Sequence, residues 1–261
     1  MRRMQTIGRL TVFVLATLLL MPSAWASCPG PSVSREPLIW RAALASGEVE
    51  LTFLGHASFL IRSPEGVTAV TDFNGVHRPK FSPDIVTMNN AHSTHYTDHP
   101  DPDIKYVLRG WDPAGAMAVH NVTYKDMRIR NVPTNVRDFG GTRYNGNSIF
   151  IFEVGDLCIA HLGHLHHVLT PEHLADIGQI DVVLVPVDGS YTLDQVGMME
   201  VIGQLHAPLL IPMHYFGPHT LQSFLSRVTA TYAVRLSETP RIVLSRATLP
   251  TRPEAVVLPG Y

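Results

Sequence analysis

Apolar residues in this chain gather into short runs separated by glycine, proline and histidine. Val49 to Ile61 predicts a strand, an interruption at Gly55-His56 and a second strand, and Val67 to Thr71 is a short run ending at Asp72. Ile85 to Met88 and Tyr106 to Leu108 are runs of similar kind. Ala118 to Tyr124 and Met127 to Val132 predict a hairpin turning at Lys125-Asp126, while Ser148 to Val154 alternates, turns at Gly155-Asp156 and continues as Leu157 to Ala160. The last hundred residues change period. Thr170 is placed to cap a helix with Pro171 at its first position and Gly178 as its stop. Ile180 to Val187 and Leu209 to Met213 are near-continuous apolar runs, as strands buried on both faces are. Between them Thr192 and Gln195 have capping-box spacing for a helix through His206, with Met198, Ile202 and Leu205 as its apolar stripe. Thr220 caps a further helix carrying Leu221, Phe224, Leu225 and Val228 on one face, and Arg241 to Ser245 is a last strand. There is no short repeat and no low-complexity tract. Strands first and mixed strands and helices afterwards predict a layered α/β domain over 48–261.

The N-terminus follows a different rule. Arg2, Arg3 and Arg9 precede an apolar run from Leu10 to Met21, and Ala24-Trp25-Ala26 supplies a small-x-small cleavage site. This is the pattern of a secretory signal peptide over 1–26, with a run too short to span a membrane. The expected location is the periplasm or the outside of the cell. Lipoprotein anchoring at Cys28 is the weaker alternative, because Trp25 stands where such signals carry leucine. Residues 27–47, with Pro29, Pro31 and Pro37, read as an irregular lead-in. Cys28 and Cys158 are the two cysteines; a bridge is open to them in an oxidising compartment, but a buried, unpaired Cys158 is the expectation.

Composition excludes more than it selects. With 261 residues, 45% hydrophobic and 16% charged, the chain has the composition of a globular protein and the length for one large domain or two small ones. A net charge of -2 gives no electrostatic case for nucleic acid; the partner expected is a small-molecule substrate. The fourteen histidines are unusual, and they concentrate between His92 and His167. Asn90 to Pro100 holds His92, His95, Asp98 and His99 directly after an apolar run. A second cluster, His161-Leu-Gly-His164-Leu-His166-His167, and a third site, His214, also follow apolar runs. Imidazoles with a carboxylate at strand ends suit zinc, iron or manganese better than magnesium or calcium. His166 and His167 are adjacent, so at most one faces such a site. Asp188-Gly189 is placed to rim the pocket, and Arg109 and Trp111 are candidates for an anionic or planar substrate.

Taken together, Thr52-Phe-Leu-Gly-His56-Ala, Thr71-Asp72, the cluster ending Asp98-His99, His161-Leu-Gly163, Val185-Pro-Val-Asp-Gly189 and Ile211-Pro-Met-His214-Tyr215 resemble metallo-β-lactamase-fold hydrolases in order and spacing. The resemblance is to the compact branch that includes ascorbate-6-phosphate lactonase-like proteins and uncharacterised metal-dependent hydrolases, and it covers roughly Glu48 to Pro240. It implies an αββα sandwich, two mixed β-sheets with helices on the outer faces and a one- or two-metal site at the sheet edges. It implies metal ligation by His92, His95, Asp98, His99, His161, His164 and His214, with His56 and Asp72 orienting ligand imidazoles. The implied activity is hydrolysis of an ester, lactone, amide or phosphodiester by a metal-bound hydroxide, with Asp98 orienting it. Zinc is the default ion. The chain also departs from the family pattern. Tyr96 and Thr94 stand two and four positions before Asp98 where the signature has histidines, and His164 replaces a bridging aspartate. The loop Val132–Asp138, expected to supply a further ligand, has no histidine. These departures favour one metal, or an unusual pair, over the family's dinuclear site. They also keep open a metal-binding protein of the same fold without hydrolytic activity.

Overall fold

The computed structural model describes residues 44–90 and 92–260. In chain order the strands and helices are β1 (Val49–Gly55), β2 (Ser58–Arg62), β3 (Thr68–Val70), β4 (Ile85–Met88), β5 (Tyr106–Arg109), β6 (Asn121–Tyr124), β7 (Met127–Asp138), β8 (Gly141–Val154) and β9 (Leu157–His161). They continue as α1 (Pro171–Ile177), β10 (Val182–Pro186), α2 (Gln195–Leu205), β11 (Leu209–Met213), α3 (Pro218–Val228), β12 (Ala233–Leu236), β13 (Arg241–Leu244) and β14 (Glu254–Val257). Two mixed sheets result. One has the order β13-β1-β2-β3-β4-β5 and the other β12-β14-β11-β10-β9-β8-β7-β6.

Alternation sorts the side chains into layers. Leu51, Phe53, Phe59 and Ile61 from the six-stranded sheet meet Ile129, Phe150, Phe152, Leu184 and Ile211 from the eight-stranded sheet in a common core. The other face of the eight-stranded sheet presents Ile149, Ile151, Val183, Val185 and Leu210, and the helices cover it with Ile177, Met198, Ile202, Phe224 and Val228. This is why Val182–Pro186 and Leu209–Met213 are apolar at every position: each is buried on both sides. Arg130 ties α1 to the sheet. Its guanidinium donates to the carbonyls of Asp176 and Ile177 at the helix C-terminus while its Nε holds Glu153, which also takes the buried Arg128.

The outer face of the six-stranded sheet is covered differently. Leu54, Leu60, Val70, Val86 and Met88 pack under Phe73, Ile104, Tyr96 and Trp111, all from loops. Helices were expected on both outer faces; among the described residues they lie against one sheet only.

Several local expectations are corrected. The N-cap of α2 is Asp194, which accepts from the N–H groups of Val196 and Gly197, and not Thr192. Thr192 instead donates its hydroxyl to Asp188. Helix α3 begins at Pro218 after Gly217, not at Thr220. The segment Val132–Asp138 belongs to β7, paired with β8, and is not a loop. Cys158 is disulfide-bonded, contrary to the unpaired thiol expected; the other cysteine of the sequence lies outside the described residues, as do the signal-peptide segment and most of the lead-in. No helix among the described residues is long and apolar enough to cross a membrane.

Candidate metal centre

Parallel strands bring their C-terminal ends to one edge, where open α/β sheets carry their chemistry. In the six-stranded sheet β3, β4 and β5 run parallel, and in the eight-stranded sheet β9, β10 and β11 do. His56 follows β1, Asp72 follows β3, and His214 follows β11. All three have left-handed backbone, with φ of 54°, 45° and 53°. That region costs a residue with a Cβ, and such strain gathers where a side chain must be aimed. The His214 N–H donates to the His56 carbonyl at 2.7 Å, locking the two sheet edges together. His95 arrives through a tight turn after β4, in which the His92 N–H reaches the Asn90 carbonyl at 2.9 Å and the His95 N–H reaches the His92 carbonyl at 2.7 Å.

His56, His95 and His214 converge. One ring nitrogen from each lies within 4.8 Å of the others. His95 donates Nδ1–H to Asp72 at 2.6 Å, and His214 donates Nδ1–H to Asp188 at 2.9 Å. Each carboxylate is itself fixed. Asp72 accepts the Asn89 N–H at 3.1 Å, and Asp188 takes the N–H groups of Ser190, Tyr191 and Thr192 as well as the Thr192 hydroxyl. Burial lifts the Asp72 carboxyl to about 6. Burial would raise Asp188 too, but the bonds from His214 and Thr192 hold it well below the usual carboxylate range. Burial, together with neighbouring His214 and His95, lowers His56 to about 3, and burial with His214 and His92 lowers His95 strongly. The His56 and His95 rings are therefore neutral, the form that ligates metal.

The donor set fits a divalent cation. With each Nδ1–H given to a carboxylate, the Nε2 atoms of His95 and His214 face one another at 3.2 Å as two lone pairs. Both ring nitrogens of His56 are buried without a hydrogen-bond partner. An orphaned buried imidazole beside two opposed acceptors is costly unless a cation satisfies them. Carboxylate-backed imidazoles are also how proteins fix the tautomer of metal ligands.

The other predicted residues lie elsewhere. His161 is buried, but it donates Nε2–H to the Ala57 carbonyl at 2.7 Å and accepts at Nδ1 from the Asn89 amide at 3.0 Å and the Gly163 N–H at 3.2 Å. Neither nitrogen is free for a metal. His164 stands against the group, its ring centroid 4.6 Å from His95 and 5.3 Å from His214. Gly163 makes this approach possible: a Cβ there would lie 2.4 Å from the Asn89 amide nitrogen. His92 is exposed, stacked on His164 at 6.0 Å. Asp98 and His99 are exposed, and among the described residues neither side chain bonds to the histidine group. His166 turns toward His164 whereas His167 turns away to the Asn135 N–H. His56, expected to orient a ligand, faces the centre itself; Asp72 bonds His95 as an orienting carboxylate does, and Asp188 bonds His214 in the same way. Asn89 and Asn147 went unnoticed in the sequence. They hold His161 and the His164 backbone, and an asparagine after a strand carries no distinguishing signal.

Two mixed sheets whose parallel strand ends converge on carboxylate-backed histidines define the metallo-β-lactamase architecture. The chain belongs to this family: the model of the β-lactamase superfamily domain matches residues 50–214. A metal-dependent hydrolase of Carboxydothermus hydrogenoformans is 27% identical over 197 residues, covering 64% of this chain and 84% of that relative. The crystal structure of a candidate Zn-dependent hydrolase of the metallo-β-lactamase superfamily from Thermotoga maritima superposes with a TM-score of 0.59 at 29% identity, covering 80% of this chain and 98% of that one. CmlA, a diiron β-hydroxylase from Streptomyces venezuelae, shares the fold at a TM-score of 0.56 and 12% identity, over 76% of this chain and 54% of that one. The protein is a metal-dependent hydrolase of the metallo-β-lactamase superfamily.

Proposed function

We propose that this hydrolase is exported and cleaves an ester, lactone, amide or phosphodiester at a single divalent cation held by His56, His95 and His214. The observation that carries the reading is the pair of opposed Nε2 atoms 3.2 Å apart, each ring backed by its own carboxylate. A second cation has little to bind, since His161 has spent both nitrogens and His164 stands where the family has a bridging carboxylate. Zinc suits three neutral imidazoles best, and iron or manganese accept the same set. A cation held by His56, His95 and His214 would supply Lewis acidity and the means to ionise water near neutral pH, at a pKa of about 7.

The chain's own contribution can be followed proton by proton. The Arg137 backbone N–H donates to His166 Nδ1 at 2.9 Å, so the neutral His166 ring carries its proton on Nε2. That Nε2–H donates to His164 Nδ1 at 2.6 Å. His164 is then left with its own proton on Nε2, beside His95 and His214. Burial keeps His164 and His166 far below the ordinary imidazole range, which preserves this order of donors. His164 is thus a hydrogen-bond donor next to the centre and not a ligand. With its ring 4.6 Å from His95 and 5.3 Å from His214, that N–H would steady negative charge developing on the substrate oxygen, as fixed donors do in acyl and phosphoryl transfer. Asp72 and Asp188 hold His95 and His214 in the tautomer that leaves Nε2 open.

Export rests on the sequence of 1–26, and the disulfide-bonded state of Cys158 supports an oxidising compartment. The test is turnover of aryl esters, lactones and phosphodiesters by metal-loaded and chelated protein, with metal content measured in parallel. Activity that vanishes on chelation and returns with one equivalent of zinc supports the reading. His164→Gln should keep its metal and lose on the order of a hundredfold in kcat. A protein that takes up no metal after reconstitution, or one whose turnover survives chelation, overturns it.

A further inference from the structure

Beside the histidine group lies a cleft of about 610 Å³, and its far wall is the outer part of the β7–β8 hairpin. The pairing of the two strands shifts register between Thr134 and Val136. Beyond that shift the hairpin sets Arg137 and Arg143 at the cleft, together with His92, His164, His166 and Tyr191. Both arginines are held by neutral groups. Arg137 donates Nη2–H to the carbonyls of Thr192 at 2.7 Å and Ser190 at 3.3 Å. Arg143 donates Nη2–H to the Asn90 side-chain oxygen at 2.7 Å, and it lies so close over Gly146 that a Cβ there would be 2.7 Å from its Nε.

Other arginines of this chain are treated differently. Arg128, Arg130 and Arg246 each rest on a carboxylate. Among the described residues neither Arg137 nor Arg143 has a carboxylate within ion-pair distance. The one acid lining the cleft is Asp138, and its Oδ1 is engaged by the Phe139 N–H at 2.7 Å. Two guanidinium groups are thus oriented by carbonyl and amide oxygens with no carboxylate bonded to either; Asp194 feels the charge of Arg137 from a distance, and among the described residues Arg143 has no such acid near it. That arrangement is suited to a carboxylate or phosphate, which guanidinium recognises with paired N–H donors.

An apolar path leads from there to the centre. Phe139 on the hairpin, Tyr191 and Phe216 are exposed at 111%, 65% and 60%. Tyr191 meets Phe216 edge-on at 5.5 Å, and Phe216 lies 5.1 Å from His214 and 5.9 Å from His56. Exposed aromatic rings lined up beside a buried polar group are a binding wall rather than a random surface.

We propose that the substrate is an anion with an aromatic or apolar body: its carboxylate or phosphate is taken by Arg137 and Arg143, its body lies along Tyr191 and Phe216, and its scissile group reaches the histidine centre. This rests on the hydrolase reading for the scissile group alone. The anion and body sites are testable without metal.

The experiment is equilibrium binding to metal-free protein, with 3-phenylpropionate, phenyl phosphate and the neutral 3-phenylpropionamide as probes. At least one anion should bind about tenfold more tightly than the amide, and the tighter of the two tells a carboxylated from a phosphorylated substrate. Arg143→Gln and Arg137→Gln should each abolish that preference. Arg143→Lys should retain most of it, and Arg227→Gln, which lies away from this cleft, should retain all of it. Circular dichroism on each variant separates loss of the site from loss of the fold. Equal binding of amide and anions by the wild type, or an unchanged preference in both folded glutamine variants, overturns the proposal. Metal uptake without anion preference would sink this inference and leave the hydrolase reading standing; anion preference without metal uptake would do the reverse.

Discussion

The two histidine-rich stretches, Asn90–His99 and His161–His167, look alike in the sequence and behave differently in the fold. The first is largely exposed, and it sends one residue, His95, fully inward while His92, Asp98 and His99 stay at the surface. The second is largely buried, but its ring lone pairs are already taken by hydrogen-bond donors. His161 is bonded on both sides of its ring, and His164 and His166 are bonded to each other. What separates a ligand from a bystander is the hydrogen-bond ledger of each ring, not the density of histidines. His95 and His214 keep Nε2 open because a carboxylate holds Nδ1, and His56 is open at both nitrogens.

Replacing one residue from each stretch breaks the comparison most sharply. His95→Ala removes a ring from the centre and should cost the protein most of its bound metal, read by elemental analysis of folded, reconstituted samples. His214→Ala should do the same. His161→Ala should keep the metal and lose stability instead. It leaves the Ala57 carbonyl and the Asn89 amide without their buried partner and opens a cavity, for a cost of roughly 2–4 kcal/mol in denaturant unfolding. If His161→Ala released the metal while still folded, the assignment of its nitrogens would be wrong.

The same difference decides what was legible beforehand. The strands were readable because their apolar runs are short and bounded by glycine and histidine, and β10 and β11 because burial on both faces leaves no polar position. Strands β12 and β14 were not, since Ala233–Leu236 is mostly exposed and Glu254–Val257 is a short run after a proline. His95 and His214 were found as residues following apolar runs. His56 was found and given the wrong task, because an interruption between two strands reads as a turn until the His214 N–H is seen bonded to its carbonyl. Asp188 was placed at the pocket rim without its main task, because an Asp-Gly pair is as readily explained by a turn; its side chain does cap that turn while also gripping His214. The partners of ring nitrogens come from residues as far as 104 positions away in the case of Ala57 for His161, and no local pattern carries that information.

Acid should sharpen the comparison at an intermediate scale. Burial lowers His56 to about 3 and His166 to about 4, and it lowers His95, His161 and His164 as well. In the unfolded chain these rings take up protons near pH 6.5. Between that pH and the folded values the unfolded state binds more protons, so stability is full above about 6.5 and falls as the pH drops below it. Asp72, raised by burial to about 6, works against this: its contribution is lost as the pH rises from about 4 through 6. Five rings outweigh one carboxyl, so the thermal midpoint of the metal-free protein should fall steadily from pH 7 to pH 4. A midpoint that stayed flat or rose over that range would mean that the rings are not held neutral by burial.

The smallest effect belongs to Asp98 and His99, which end the motif most suggestive of chemistry. After His95 turns inward the chain runs back to the surface, and both side chains face water. The His99 N–H is bonded to the Thr97 hydroxyl at 3.1 Å, which makes this a local turn with its own hydrogen bonding. An aspartate that touches neither the histidine group nor a carboxylate-bound ring has no route by which to orient a nucleophile. Asp98→Asn and His99→Ala should therefore change stability by no more than about 0.5 kcal/mol and leave metal content unchanged. Their kcat on whichever aryl substrate the wild type turns over should stay within about twofold of it, since no interaction with the reacting atoms is lost. A hundredfold loss of kcat in Asp98→Asn with metal retained would show that the loop 92–99 closes inward when substrate binds. Asp98 would then be the group that orients the nucleophile and takes its proton, with His164 kept as a fixed donor beside it.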